Sequence, residues 1–130
     1  MEVAELKGTL LDHWVARSRG LKPYTINGSS DENLMLNDES AEFGCTTYQP
    51  STDWATAGPI ITRERISLQW INANWMAKKQ FRDKSVVHCD ASPLVAAMRC
   101  FVESRFGREV PNENENPPHI TKTGLFGFRF

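Results

Sequence analysis

Between Ile66 and Phe106 the spacing of apolar side chains changes from every second residue to every third or fourth, and that change admits few folds. Ile66, Leu68 and Trp70 alternate with Ser67 and Gln69. Across Asn72-Ala73-Asn74, Trp75, Ala77 and Lys79 alternate with Met76, Lys78 and Gln80, the pattern of a β-hairpin with a short Asn-containing turn. The two tryptophans are placed for cross-strand packing. Ser92-Pro93 then supplies a capping oxygen and a first helical residue with no N–H to lose, and Leu94, Val95, Met98, Phe101, Val102 and Arg105 follow a 3.6 period up to Gly107.

A second helical period occupies the start of the chain, where Val3, Leu6, Leu10, Leu11, Trp14 and Val15 share a stripe. Glu2 and Glu5 suit the positive end of a helix over residues 3–18, Arg17 and Arg19 suit its negative end, and Gly20 is a stop. Gly8 interrupts this stripe and marks a first turn that is separate or closely packed. The fold class is therefore α+β: a small, mainly antiparallel sheet with an N-terminal helix and a second helix near residues 93–106. Leu21–Ile26 and Phe43–Tyr48 read as further strands, with Leu34–Leu36 too short to assign. Residues 1–110 form a single α+β domain in this reading. Residues 111–130 form a linker, Pro-Asn-Glu-Asn-Glu-Asn-Pro-Pro, and a tail that is frayed or adds an edge strand through Phe126, Phe128 and Phe130, in this chain or in a second copy. That alternation makes a homo-oligomer the expectation.

Charge narrows the classes of function. Fifteen basic and sixteen acidic residues nearly cancel, which argues against general nucleic-acid binding and against an anionic membrane surface. The two halves differ, however: residues 1–59 are acidic on balance and residues 60–110 basic, so a local anion-friendly face is open to the second half. Three cysteines, Cys45, Cys89 and Cys100, are an odd, scattered set that suits a reducing compartment. No apolar run is long enough for a bilayer, and the acidic start does not suit a secretory signal, so a cytoplasmic location is expected.

No motif for hydrolytic or nucleophilic chemistry is present. There is no Gly-x-Ser-x-Gly, no phosphate-binding Gly-x-x-x-x-Gly-Lys loop and no His-Glu-x-x-His, and His13, His88 and His119 are dispersed. His88 and Cys89 would point to opposite faces of a strand, which disfavours a metal site with Cys45 and Cys100. Asp31-Glu32 and Asp38-Glu39 read as solubilising charges. Neither a catalytic role nor a cofactor is expected.

One segment is unusual for scaffolding. Tyr48 to Ile61 reads as an ordered loop, with a turn at Gly58-Pro59 and an aromatic on each side of Pro50. Tyr48 and Trp54 could stack a base, Ser51, Thr52 and Asp53 could bond its edge or a ribose, and Arg63 and Arg65, on one face of an extended strand, could pair with phosphate. The competing reading is that Asp53 or Ser51 caps a short turn while Trp54 plugs the core.

Three blocks, Val3–Arg17, Pro50–Ile61 with Arg63-Glu-Arg-Ile66, and Ser92–Val102 with Phe106-Gly107, resemble the NinX-like proteins of phages and prophages. The resemblance implies a phage accessory product acting in a bacterial cytoplasm. Pro50-Ser-Thr-Asp-Trp54 is also similar to the Trp-bearing segment of phage sponge proteins that sequester nucleotide immune signals. On that footing the expected function is non-enzymatic counter-defence, with a small cyclic nucleotide held between protomers by Tyr48, Ser51, Thr52, Asp53, Trp54, Arg63 and Arg65. The alternative is an inhibitor that docks on a host defence protein through the basic hairpin, residues 63–84.

Overall fold

The structure is a computed structural model and describes residues 1–25, 34–37 and 45–111. Its centre is the helix α3 (Pro93–Phe106), which starts where expected: the Ser92 hydroxyl accepts the Val95 N–H at 3.3 Å and Pro93 opens the first turn. Leu94, Met98, Phe101 and Val102 are buried, and so are Ala96, Ala97, Cys100 and Ser104. Burial on so many sides means neighbours on more than one face. The small residues let one neighbour come close, since the Cys100 thiol donates to the Ala77 carbonyl at 3.2 Å.

That neighbour is a three-stranded antiparallel sheet, β4 (Ser67–Ile71), β5 (Asn74–Phe81) and β6 (Lys84–Asp90), in the order β4-β5-β6. Trp70 pairs with Trp75 as the alternation predicted, their rings edge to face at 5.4 Å. β6 went unassigned in the sequence because Ser85, His88 and Cys89 blur its alternation. The remaining sides of α3 meet α1 (Gly8–Ser18), α2 (Trp54–Glu64) and a 3-10 turn at Val3–Glu5. A second antiparallel sheet, β1 (Tyr24–Thr25), β2 (Leu34–Asn37) and β3 (Cys45–Thr47), packs beside α1. Three α-helices and two small antiparallel sheets among the described residues make an α+β fold.

The stripe over residues 3–18 is divided where Gly8 stands. Leu6 is fully buried in extended backbone and Gly8 has φ +59°, so the chain turns before α1 begins. At the far end, Gly20 N–H donates to the Arg17 carbonyl and Leu21 N–H to that of Ala16, a Schellman closure with Gly20 at φ +79°.

The larger departure from expectation is α2. Residues 54–64 are helical, not a loop with a turn at Gly58-Pro59, and Arg63 lies on that helix instead of on an extended strand. Asp53 supplies the reason: its carboxylate accepts the Ala55 N–H at 3.2 Å and the Thr56 hydroxyl at 2.7 Å, fixing the first turn. Pro59 falls on the exposed side, while Ala57, Ile60 and Ile61 turn inward. The expectations for Asp31-Glu32, Asp38-Glu39, His119, the ends of the first and third strands at Ile26 and Phe43, and the stretch beyond Pro111 lie outside the described residues.

The turn joining β4 and β5 has both central residues left-handed, Asn72 at φ +53° and Ala73 at φ +63°. Asparagine tolerates this, but alanine is held there at a cost of about 1 kcal/mol. Ala73→Gly should therefore raise stability by about that amount, read as a higher denaturation midpoint at constant slope.

Candidate functional site

The residues singled out in the sequence occupy the approach to α2 and the helix itself, and the fold gives most of them structural duties. Tyr48 is buried. Its hydroxyl accepts from the Arg19 guanidinium at 3.0 Å, and that guanidinium lies over the ring at 5.9 Å. Burial pushes the phenol's pKa up, with the Arg19 hydrogen bond working against that rise. Ser51 is also buried, and its N–H donates to the Asp12 carboxylate at 2.7 Å. Asp12, on α1, is thus the unforeseen anchor of this loop. Burial raises its pKa to about 6, although the Ser51 backbone and side-chain hydrogen bonds pull the other way.

Thr52 is exposed, its hydroxyl 3.5 Å from the Gln49 carbonyl. Asp53 caps α2. Trp54 is 55% exposed as the first residue of that helix, so it does not plug the core. Arg63 stands nine residues further on, about 14 Å along the axis and half a turn out of phase with Trp54. Its charge does reach the Tyr48 hydroxyl, and its Nε donates to Glu64 at 3.2 Å. Arg65 closes the helix in the left-handed region at φ 56°. Within one chain, the structure gathers Tyr48, Ser51, Thr52, Asp53 and Trp54 with Asp12 and Arg19, and sets Arg65 at the opposite end of α2.

Two other features come forward. The first is the strand β4, which among the described residues is paired with β5 on one side only and so forms an edge. Its Trp70 is 57% exposed and its Ile71 37%, and adjacent strand residues point to opposite faces. The sheet face turned away from α3 carries Ile71, Met76 and Val87, with Lys78 opposite Ser67 and Val87 in register. The alternation of Ile66 to Gln80 held this signal, but exposure depends on β4 being an edge, which only the strand order reveals. The second is a cluster of cations around the β5–β6 turn and the end of α3, described below.

Polar contacts at the partly buried sides of α3 read as structural. His88 Nε2 meets Glu103 at 2.7 Å, and Arg99 donates to the Leu6 carbonyl at 2.8 Å and to Asp90 at 3.4 Å. Among the described residues no group of three or more His, Cys, Asp and Glu side chains could hold a metal ion, and no helix is long and apolar enough to cross a membrane.

Comparison with known proteins gives one family. The model of the family described as "Bacteriophage P22, NinX" matches residues 2–105. That span takes in all three helices except the last residue of α3, together with both sheets. No curated protein matches the chain.

Proposed function

Since the chain belongs to the bacteriophage P22 NinX family and is a phage accessory protein, we propose that it works by binding, without catalysis, and docks on a host defence protein through the edge strand β4. The observation that carries this reading is the exposure of Trp70 and Ile71 on opposite faces of a strand whose outer edge has no partner strand among the described residues. Natural edge strands are usually protected by charge, proline or a bulge, whereas Ser67–Ile71 has none of these and ends in two large apolar residues. An extended partner segment can complete the backbone ladder, with pockets for the indole and the isoleucine. Lys78, exposed on the next strand, provides a rim charge for an acidic neighbour. The site of action is the bacterial host cytoplasm.

Tagged protein expressed in a phage-permissive host should recover one dominant partner in stoichiometric amount. Trp70→Ser and Lys78→Glu should each weaken its recovery, and Trp54→Ala should not. Lys79 is unsuited to charge reversal because it is buried against Glu64. Equal recovery by wild type and Trp70→Ser would remove β4 from the interface.

A second reading is favoured by Trp54, whose half-exposed indole stands beside the Asp53 cap. In a homo-oligomer, Trp54 of one protomer could stack a nucleotide-type immune signal whose phosphates meet Arg63 or Arg65 of another, giving a sponge that sequesters the signal. A panel of cyclic nucleotides at about 100 μM should then raise the melting temperature, and Trp54→Ala should abolish the rise. A flat response across the panel would count against it.

A further inference from the structure

Four of the nine basic residues of 60–110 line one cleft. A cleft of about 420 Å³ opens between the β5–β6 turn and the C-terminal end of α3, with Arg82, Lys84, Arg105 and Arg108 in its walls and Glu103 as its acidic member. Glu103 is held by His88 at 2.7 Å, and Arg105 turns to Glu64 at 3.1 Å. Arg82, Lys84 and Arg108 enter no ion pair among the described residues. Among the described residues, three cations without an ion pair thus share one concave site, with Asp83 and Glu109 beside them in sequence, and its volume lies in the range of small-ligand pockets.

The partial negative charge at the end of α3 accounts for Arg105, which lies in the last helical turn. It does not account for Arg82 and Lys84, which the hairpin brings from the opposite wall. Two backbone features hold the cations in place. Arg82 has φ +61°, a left-handed conformation that glycine or asparagine would adopt at less cost, and its guanidinium lies over Phe81 at 5.3 Å. Gly107, at φ +91°, turns the chain so that Arg108 joins the wall. A strained position occupied by an arginine, beside Lys84 and Arg108 that likewise enter no ion pair among the described residues, is more readily explained by a ligand than by the needs of the turn.

We infer that this cleft binds a small phosphorylated anion through Arg82, Lys84 and Arg108. Nucleotide phosphates and inorganic polyphosphate share the necessary chemistry: several oxygens that accept charge-assisted hydrogen bonds from guanidinium and ammonium groups. A small ligand fits better than a nucleic-acid strand, because the chain as a whole has a net charge of −1 and the positive field is confined to a concave site. The inference is independent of the edge strand. Six residues of β5, about 20 Å, separate Phe81 beside the cleft from Trp75 beside Trp70.

Calorimetric titration of the full chain with tripolyphosphate, ATP and adenosine tests it. Tripolyphosphate and ATP should bind with one-to-one stoichiometry and adenosine should not. Equal affinity for the two anions assigns recognition to phosphate alone, and tighter binding of ATP assigns a share to the nucleoside. Arg82→Gly, Lys84→Gln and Arg108→Gln should each weaken binding about tenfold. Arg82→Gly should also raise the melting temperature of the unliganded protein, which separates loss of a ligand contact from loss of fold. Three results would overturn the inference: no heat with either anion at about 5 mM, an equal response to sulfate at matched ionic strength, or unchanged binding in the triple variant. Tighter binding of a single-stranded oligonucleotide of about twenty residues, with a salt dependence requiring more than three phosphate contacts, would replace it with a nucleic-acid interface.

Discussion

Replacing Glu64 with alanine is expected to destabilise the fold by about 3 to 5 kcal/mol, a drop in melting temperature of roughly ten degrees or more. Glu64 ends α2 with its side chain 9% exposed and receives Arg63 at 3.2 Å, Lys79 at 3.3 Å and Arg105 at 3.1 Å. Burial pushes its carboxyl pKa up, but the hydrogen bonds from Arg63 and Lys79, with the charges of Arg105 and Lys79, outweigh burial and hold it below the usual value. The cost of losing it falls mainly on Lys79. Arg63 and Arg105 can return to water, whereas Lys79 is buried and, among the described residues, would keep the Glu64 backbone carbonyl at 3.1 Å and no counter-charge. Glu64→Gln retains an acceptor and should cost less than half as much. Adding Lys79→Met to Glu64→Ala should recover much of the loss, because it removes the stranded charge. A double variant no better than Glu64→Ala alone would show that the cost arises elsewhere.

The second large effect concerns pH. Asp12 is 4% exposed and has a pKa of about 6 in the folded protein, against about 3.9 for an unfolded aspartate. Between those values the folded state binds the extra proton, so this group makes stability fall as pH rises from about 4 to 6. Above pH 6 the full cost of a buried charge is present, about 3 kcal/mol, and below pH 4 it is gone. Asp12→Asn keeps a carbonyl oxygen for the Ser51 N–H, and the Ser51 hydroxyl can accept from the new amide. At pH 7 this variant should be more stable than wild type, and the difference should vanish toward pH 4. Taking the difference between the two proteins cancels carboxylates such as Glu64, whose lowered pKa stabilises the fold above the usual carboxylate range and loses that effect in acid. Asp12→Ala instead strands the Ser51 N–H and should be less stable at every pH. A constant difference between wild type and Asp12→Asn from pH 4 to 7 would contradict this assignment.

Where side-chain periodicity and local capping agreed, the fold could be read from the sequence. Ser92-Pro93 starting α3 and Trp70 facing Trp75 are local consequences of residue type. α2 was hidden because Gly58-Pro59 ordinarily signals a turn, although the Asp53 cap and the inward spacing of Ala57, Ile60 and Ile61 were present. β6 was hidden because its buried partners lie on α3, so its alternation is set by tertiary contacts. In the expected ligand segment, the residue types suited to holding a ligand are the same ones that cap, anchor and pack, so the sequence alone could not separate the two. Whether Tyr48 stacks a base or holds Arg19 depends on α1, some thirty residues away in sequence. The cleft cations showed only as an excess of charge, since Arg82 and Lys84 meet Arg105 and Arg108 through packing of the hairpin against α3.

The binding reading rests on β4 being the surface that a partner covers. The most direct measurement is amide hydrogen exchange of the protein, alone and with the partner it captures. Slowed exchange is expected at Ser67–Ile71, with the amides around Trp54 and the end of α3 unchanged. Protection centred on either of those two regions, with β4 exchanging as freely as before, would contradict it.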